Sequence, residues 1–398
     1  MKILIIHNDY GRYSGEEAVV DKTAEMFRQL GHEVAFFRMT SVGHRDSLVG
    51  NIRGFFCGMY SPQGVKGMRK ALIKEKPDVV NVHNLYPFIS PVALFECRKR
   101  NVPVVMTVHN FRIVCPTGLF MRNDKPCELC LNRGNEWSCL RHNCEQSLFR
   151  TVGFAARNAV ARMTGAYRKC VTRFACITEF QRQKLIEAGF EGERIAVIPN
   201  SIEVPTKPID GCESMNSPAR WAPPQEGEGG YVAYLGRISH EKGYDLLCEV
   251  ARRHPEIEFR FAGDLREEVV MPELPNIKLM GYLKGKALEQ YLDACRFLVI
   301  PSRCYEGFPM SILEAALHGK PSIGPDHGGF TEIIGKGEEA IGRLFEPGSV
   351  DDLERQITTL WNAPERCREL GRKAYEKLQS CYSTEVTQRQ WAALLQQL

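Results

Sequence analysis

The chain has 398 residues, of which 43% are apolar and 25% charged, with a formal net charge of +4. That is the make-up of an ordinary soluble globular chain of two or three domains, with a core large enough to fold without a metal. So small a charge neither demands a nucleic-acid partner nor excludes an anionic one.

The start, MKILIIHNDYG, has too few consecutive aliphatic residues for a secretion signal. No stretch approaches the ~18 apolar residues that would span a bilayer. Fifteen cysteines without an export signal point to a reducing cytoplasm, with metal ligands and buried thiols in place of disulfides.

In chain order, KILIIH (2–7) predicts a strand and EEAVVDKTAEMFRQL (16–30) an amphipathic helix. Further strands are expected at EVAFF (33–37), DVVNVH (78–83), VPVVMTVH (102–109), RFACIT (173–178) and RIAVIP (194–199). Continuous Val/Ile runs separated by helices indicate a doubly wound parallel sheet, buried on both faces. Residues 206–229 are rich in proline, glycine and serine and predict a linker. The alternation then resumes at YVAYLG (231–236), EFRFAG (258–263), NIKLMG (276–281), RFLVIP (296–301) and KPSIG (320–324). From 350 onward the pattern is helical only.

The expected fold class is therefore α/β, with two Rossmann-like doubly wound domains facing a cleft. The first covers 1–205 and includes a cysteine-rich insertion at 111–147. The second covers 230–380, and 381–398 is expected to form a helix that packs back on the first. Neither a G-x-G-x-x-G turn after the first strand nor a G-x4-G-K-[ST] loop is present, which disfavours a plain dehydrogenase and a P-loop nucleotidase.

The most specific stretch is PSRCYEGFPMSILEAALHGKP (301–321). It predicts a strand ending at Pro301, a loop with Glu306 and Gly307, and a helix with Pro309 in its first turn. Glu306 then sits before the helix and Glu314 about one turn inside it. A helix N-terminus suits phosphate, and the two carboxylates suit sugar hydroxyls.

EGFPMSILE resembles the E-x7-E motif of the retaining GT-B glycosyltransferases of family 4. LGRISHEKG (235–243) resembles that family's G-R-x4-K segment, and NSIE (200–203) its domain-joining segment. The resemblance implies a retaining transfer of a sugar from a nucleotide-sugar donor, UDP- or GDP-linked, to a saccharide or lipid-linked glycan. It implies that Arg237 and Lys242 grip the diphosphate, that Glu306 receives the donor sugar and Glu314 the ribose, and that the amides of Gly307 and Phe308 support them. His109 resembles the family's cleft histidine. Gly15, Glu16, Glu17 and His83 are expected on the acceptor side, although Ser14 stands where the family often has glycine. No Asp-x-Asp is present, so no catalytic metal is expected.

The cysteines leave two ligand sets open. Spacing alone selects Cys127, Cys130, Cys139 and Cys144. A subset of family 4 has a pattern that selects Cys115, Cys127, Cys130 and Cys144, with Cys139 spare. Either set suits a closed structural zinc that staples the insertion. From 146 to 178 no acid occurs while Arg150, Arg157, Arg162, Arg168, Lys169 and Arg173 recur. Arg150, Arg157 and Arg168 fall on one helical face, either solvated or resting on an anionic membrane surface at the inner face of the membrane. Two other functions stay open: a sugar-nucleotide epimerase or hydrolase on the same scaffold, and a zinc-dependent binding module.

Overall fold

The computed structural model describes residues 1–10, 15–41, 48–205 and 230–398. The expected linker, 206–229, and Ser14 lie outside the described residues. The chain forms two compact units, Met1–Phe120 with Glu128–Pro199 and Thr387–Leu398, and Met121–Cys127 with Asn200–Val386.

The first unit is built on six parallel strands: β1 (Lys2–Asp9), β2 (Glu33–Thr40), β3 (Val79–Val82), β4 (Val104–Val108), β5 (Arg173–Cys176) and β6 (Ile195–Val197). Their order across the sheet is β2-β1-β3-β4-β5-β6. Ile3, Leu4, Ile5 and Ile6 are all fully buried, as a strand covered on both faces requires. The strand order reverses between β1 and β3, so their carboxyl ends open a crevice. Helix α1 (Gly15–Gln29) follows β1, with Glu16 and Glu17 in its first turn where the helix dipole favours acids. The last helix, α2 (Thr384–Leu395), belongs to this unit from Thr387 onward. Trp391, Leu394 and Leu395 enter the core beside Ile3, Ile5 and Phe27, and the Trp391 and Phe27 rings meet edge to face at 5.2 Å.

The second unit has β7 (Tyr231–Leu235), β8 (Phe259–Ala262), β9 (Ile277–Gly281), β10 (Cys295–Val299), β11 (Ser322–Pro325) and β12 (Gly342–Phe345). The order is β9-β8-β7-β10-β11-β12, all parallel. This is the order of dinucleotide-binding sheets, with its switch point between β7 and β10. The sequence predicted only five of these strands. β12 was missed because GRLF has just two apolar residues and no alternation to distinguish it from a loop.

The basic stretch differs from its expectation. It is not one helix: Leu148–Thr164 ends at Gly165 in the left-handed conformation (φ 70°), and a separate short helix, Ala166–Cys170, follows. Arg173 opens β5. Arg157 does not share a solvent face with Arg150, because it is buried, stacks on Tyr86 and Phe154, and donates to the Pro116 carbonyl at 2.9 Å. Arg150 pairs with Glu145, Arg162 with Glu136, and Arg168 donates to the carbonyls of Ala188 and Gly189. No described helix is long and apolar enough to cross a membrane.

Candidate active site

In the second unit, the residues after β7 and β10 converge at the switch point. Gly243 is left-handed (φ 70°), and a Cβ there would stand 1.9 Å from the Pro301 carbonyl oxygen. Only glycine allows this approach, and it brings the segment of Lys242 against the end of β10. Lys242 forms an ion pair with Glu306, whose carboxylate also accepts from Ser302 Oγ at 3.0 Å. Burial works against both charges. Lys242, Ser302 and Arg237 nonetheless hold the Glu306 carboxyl below its ordinary value, and Glu306 raises Lys242.

Arg237 is half exposed, with Glu241 3.5 Å from its guanidinium. The loop is pinned from behind, where Arg303 makes a two-pronged contact with Asp245 at 2.6 Å on each arm and also donates to the His240 carbonyl.

Helix α3 (Met310–Leu317) begins one residue later than the sequence suggested. Pro309 occupies the capping position, because its extended backbone (ψ 100°) does not continue the helix. Glu314 lies one turn inside α3, half-buried. Gly307 and Phe308 lie in the loop before it, with Phe308 buried against Tyr382. The amide of Gly329 donates to the Glu306 carbonyl at 3.0 Å, and a Cβ there would meet Gly307 O at 2.4 Å.

His327, just before these glycines, was missed by sequence reasoning. Both of its ring nitrogens are buried without a hydrogen-bond partner, and burial lowers its pKa. The available signal was PDHGG, a polar residue ahead of two glycines at a helix start.

In the first unit, the ends of β3 and β4 bring two of the expected residues together. His83 Nδ1 and His109 Nε2 are 2.7 Å apart, and His83 Nε2 is 2.6 Å from Asn81 Oδ1. Asn81 Nδ2 reaches the Val105 carbonyl and Thr107 Oγ1 at 3.3 and 3.1 Å. A backbone carbonyl only accepts, which fixes the amide: its nitrogen faces Val105 and its oxygen faces His83. His83 must then donate from Nε2 and accept at Nδ1, so His109 donates from Nε2. The lone pair of His109 is left on Nδ1. Burial keeps both rings neutral, with His109 pushed down to about 4 and His83 well below an ordinary histidine.

Glu17 accepts from the Tyr10 amide at 3.1 Å, and Glu16 from the Tyr10 hydroxyl, which in turn accepts from Arg112. Burial raises the Glu16 carboxyl. Gly15 is exposed, with open space around its Cα.

Within the first unit, the insertion folds as two short helices, Leu129–Arg133 and Trp137–His142. Cys139, spare in one of the two ligand sets, is the most buried of the cysteines here. Its thiol is raised by hydrogen bonding to Cys144, by burial, and by the nearness of Cys130 and Cys115. All are free thiols. No three of these four sulfurs are all within 4.8 Å of one another, whereas ligands of one zinc stand roughly 3.8 Å apart given Zn–S bonds of about 2.3 Å. Thiols are the donor type that zinc takes, but these sulfurs stand farther apart than the ligands of one ion.

Two family models cover most of the chain: Glycosyltransferase Family 4 over residues 13–204 and Glycosyl transferases group 1 over residues 217–377. The chain belongs to the family 4, group 1 glycosyltransferases. Its fold is GT-B, as in the crystal structure of Anabaena HepE in complex with UDP, which matches over 100% of both chains with a TM-score of 0.67 at 18% identity. Among curated relatives, a 2-deoxystreptamine N-acetyl-D-glucosaminyltransferase of Niallia circulans is 32% identical over 31% of this chain and 33% of its own. A sulfoquinovosyl transferase of Arabidopsis thaliana is 30% identical over 41% of this chain and 34% of its own. This glycosyltransferase thus spans about a third of the length of these two relatives.

Proposed function

We propose that this family 4 glycosyltransferase transfers a sugar, with retention, from a nucleotide sugar to a saccharide or lipid-linked glycan. The observation that carries the reading is the Lys242–Glu306 pair at the switch point of the second sheet, beside Arg237 and the start of α3. Lys242 and Arg237 supply the positive charge that a departing nucleoside diphosphate needs, so no metal has to bridge the phosphates. Glu306 accepts hydroxyls of the donor sugar, Glu314 those of the ribose, and the Gly307 and Phe308 amides face the diphosphate. The first unit receives the acceptor through Gly15, Glu16, Glu17 and the His83–His109 pair. In the transfer, the bond from the anomeric carbon to the phosphate oxygen breaks and the acceptor oxygen bonds to the same face. The acceptor proton passes to the departing phosphate. A UDP-sugar is the first donor to try, since HepE has been crystallised with UDP-glucose.

The test is nucleoside diphosphate release from UDP-, GDP- and ADP-sugars, with and without a crude lipid-linked acceptor fraction. Acceptor-stimulated release that is lost in Glu306→Ala supports the reading. Release that survives the substitution refutes the site. Release without any acceptor favours a hydrolase.

Zinc belongs to this proposal as a staple of the insertion, with Cys139 among its ligands on the strength of its burial and neighbours. One equivalent of zinc in the purified protein, lost in Cys139→Ser, is expected. Association with anionic membrane is supported less by the arginines than by apolar side chains. Ile52, Phe56, Leu148, Phe149 and Val152 are exposed on two helices that stack Phe55 on Phe149. Sedimentation with anionic vesicles tests it, and Phe149→Ser should reduce it.

A further inference from the structure

The carboxyl end of β1 carries a cluster outside the donor site. His7 is fully buried, yet neither of its ring nitrogens has a hydrogen-bond partner. A buried imidazole normally satisfies at least its N–H, and leaving it bare costs roughly 1–3 kcal/mol. The groups it faces are carboxylates: Nε2 lies 3.7 Å from Asp9 Oδ1, and Nδ1 lies 3.9 Å from Glu16 Oε1. Both of these oxygens are themselves buried without a hydrogen bond. Ligand atoms of His7, Asp9 and Glu17 all lie within 4.8 Å of one another. The His7–Asp9 distance is too long for a hydrogen bond and close to the separation that one small cation imposes. With metal–ligand bonds of about 2.0–2.2 Å, neighbouring ligand atoms stand roughly 3 to 3.6 Å apart.

We infer that His7, Asp9 and Glu17 form a binding site for a first-row divalent cation. One imidazole and two carboxylates make a mixed nitrogen and oxygen donor set that suits Mn2+ or Zn2+. Glu16 then takes the usual place of a carboxylate behind a ligating histidine, receiving the N–H of the nitrogen that does not bind the metal. Arg38, whose guanidinium is 3.7 Å from Asp9 Oδ1, is satisfied mainly by Asp21 at 2.5 Å. The ion ties the end of β1 to the first turn of α1, and three protein ligands leave a coordination position for water or a hydroxyl oxygen. Its ligands all belong to the first unit.

The experiment is a titration of the chelator-treated full-length protein with Mn2+, following loss of the free-ion signal by electron paramagnetic resonance. Mn2+ is chosen because thiolates compete for it poorly, which keeps the cysteines silent. Saturation at one equivalent, with a rise in melting temperature, is expected. His7→Gln and Asp9→Asn should each weaken binding at least about tenfold, while Glu306→Gln should bind as the wild type does. If His7→Gln does not fold, Asp9→Asn at the more exposed rim decides alone. No saturable uptake, or uptake unchanged in Asp9→Asn, overturns the assignment. Neither result bears on nucleotide-sugar turnover, which Glu306→Ala tests separately.

Discussion

His83 and His109 share a hydrogen bond of 2.7 Å across the ends of two neighbouring strands, and Asn81 determines which of them donates. The amide acts through His83 on a residue it does not touch, so it is a positioning residue. Asn81→Leu removes the acceptor for His83 Nε2–H in a buried site. A stability loss of roughly 1–3 kcal/mol is expected, together with a fall in kcat larger than any change in KM. Nitrogen-15 spectra of the histidine rings read the consequence directly. One tautomer per ring is expected in the wild type, and a mixture at His109 in the variant.

The same pair makes a pH prediction. Burial depresses the His109 pKa from an ordinary 6.5 to about 4. Between these values the unfolded chain binds the proton and the folded one does not, so stability rises with pH. The stabilisation is complete above about pH 6.5 and is lost as pH falls toward 4, on the order of 3 kcal/mol across that window. Thermal melts from pH 7 to 4 should show the decline. His109→Asn, which can still donate to His83, should make it shallower, leaving the part due to buried His7 and His83. An equally steep decline in that variant would remove His109 as the cause.

Lys242→Met should lower turnover by roughly 10²–10³-fold, the usual scale for losing one charge-stabilising group at a transition state. It also leaves Glu306 with Ser302 and Arg237 alone to oppose burial, so its carboxyl should rise. The wild-type Glu306 carboxyl is depressed, so its contribution to stability is present above the unfolded carboxylate value and disappears as pH falls through the folded one. Acid titration of stability should therefore differ between the two proteins below about pH 5 and converge above it only up to a constant offset.

Trp391→Ala tests whether the end of the chain belongs to the first core. Trp391 is 4% exposed and its ring meets Phe27. Truncation of a buried aromatic costs about 3–5 kcal/mol. Denaturant melts should show the first unit losing stability, and proteolysis should release Thr384–Leu395 earlier than in the wild type.

The sheets were legible from the sequence because strands buried on both faces need unbroken aliphatic runs, and KILIIH, VPVVMTVH and RFLVIP have them. β12, with four residues and two apolar, was not. The placement of Arg237, Lys242 and Glu306 in loops after strands, and of Glu314 on α3, could be read from spacing and resemblance. Tertiary structure decided what no local pattern records. Arg157 turned inward, where Tyr86 and Phe154 offer rings to stack on and the Pro116 carbonyl accepts from it. Asn81 and His83, on one strand, met His109 on another only because β3 and β4 pair in this register. His7 and His327 became notable through burial without a partner, which depends on every neighbour in space. A sequence states which groups a chain has to satisfy; only the fold determines which of them are left waiting for a ligand.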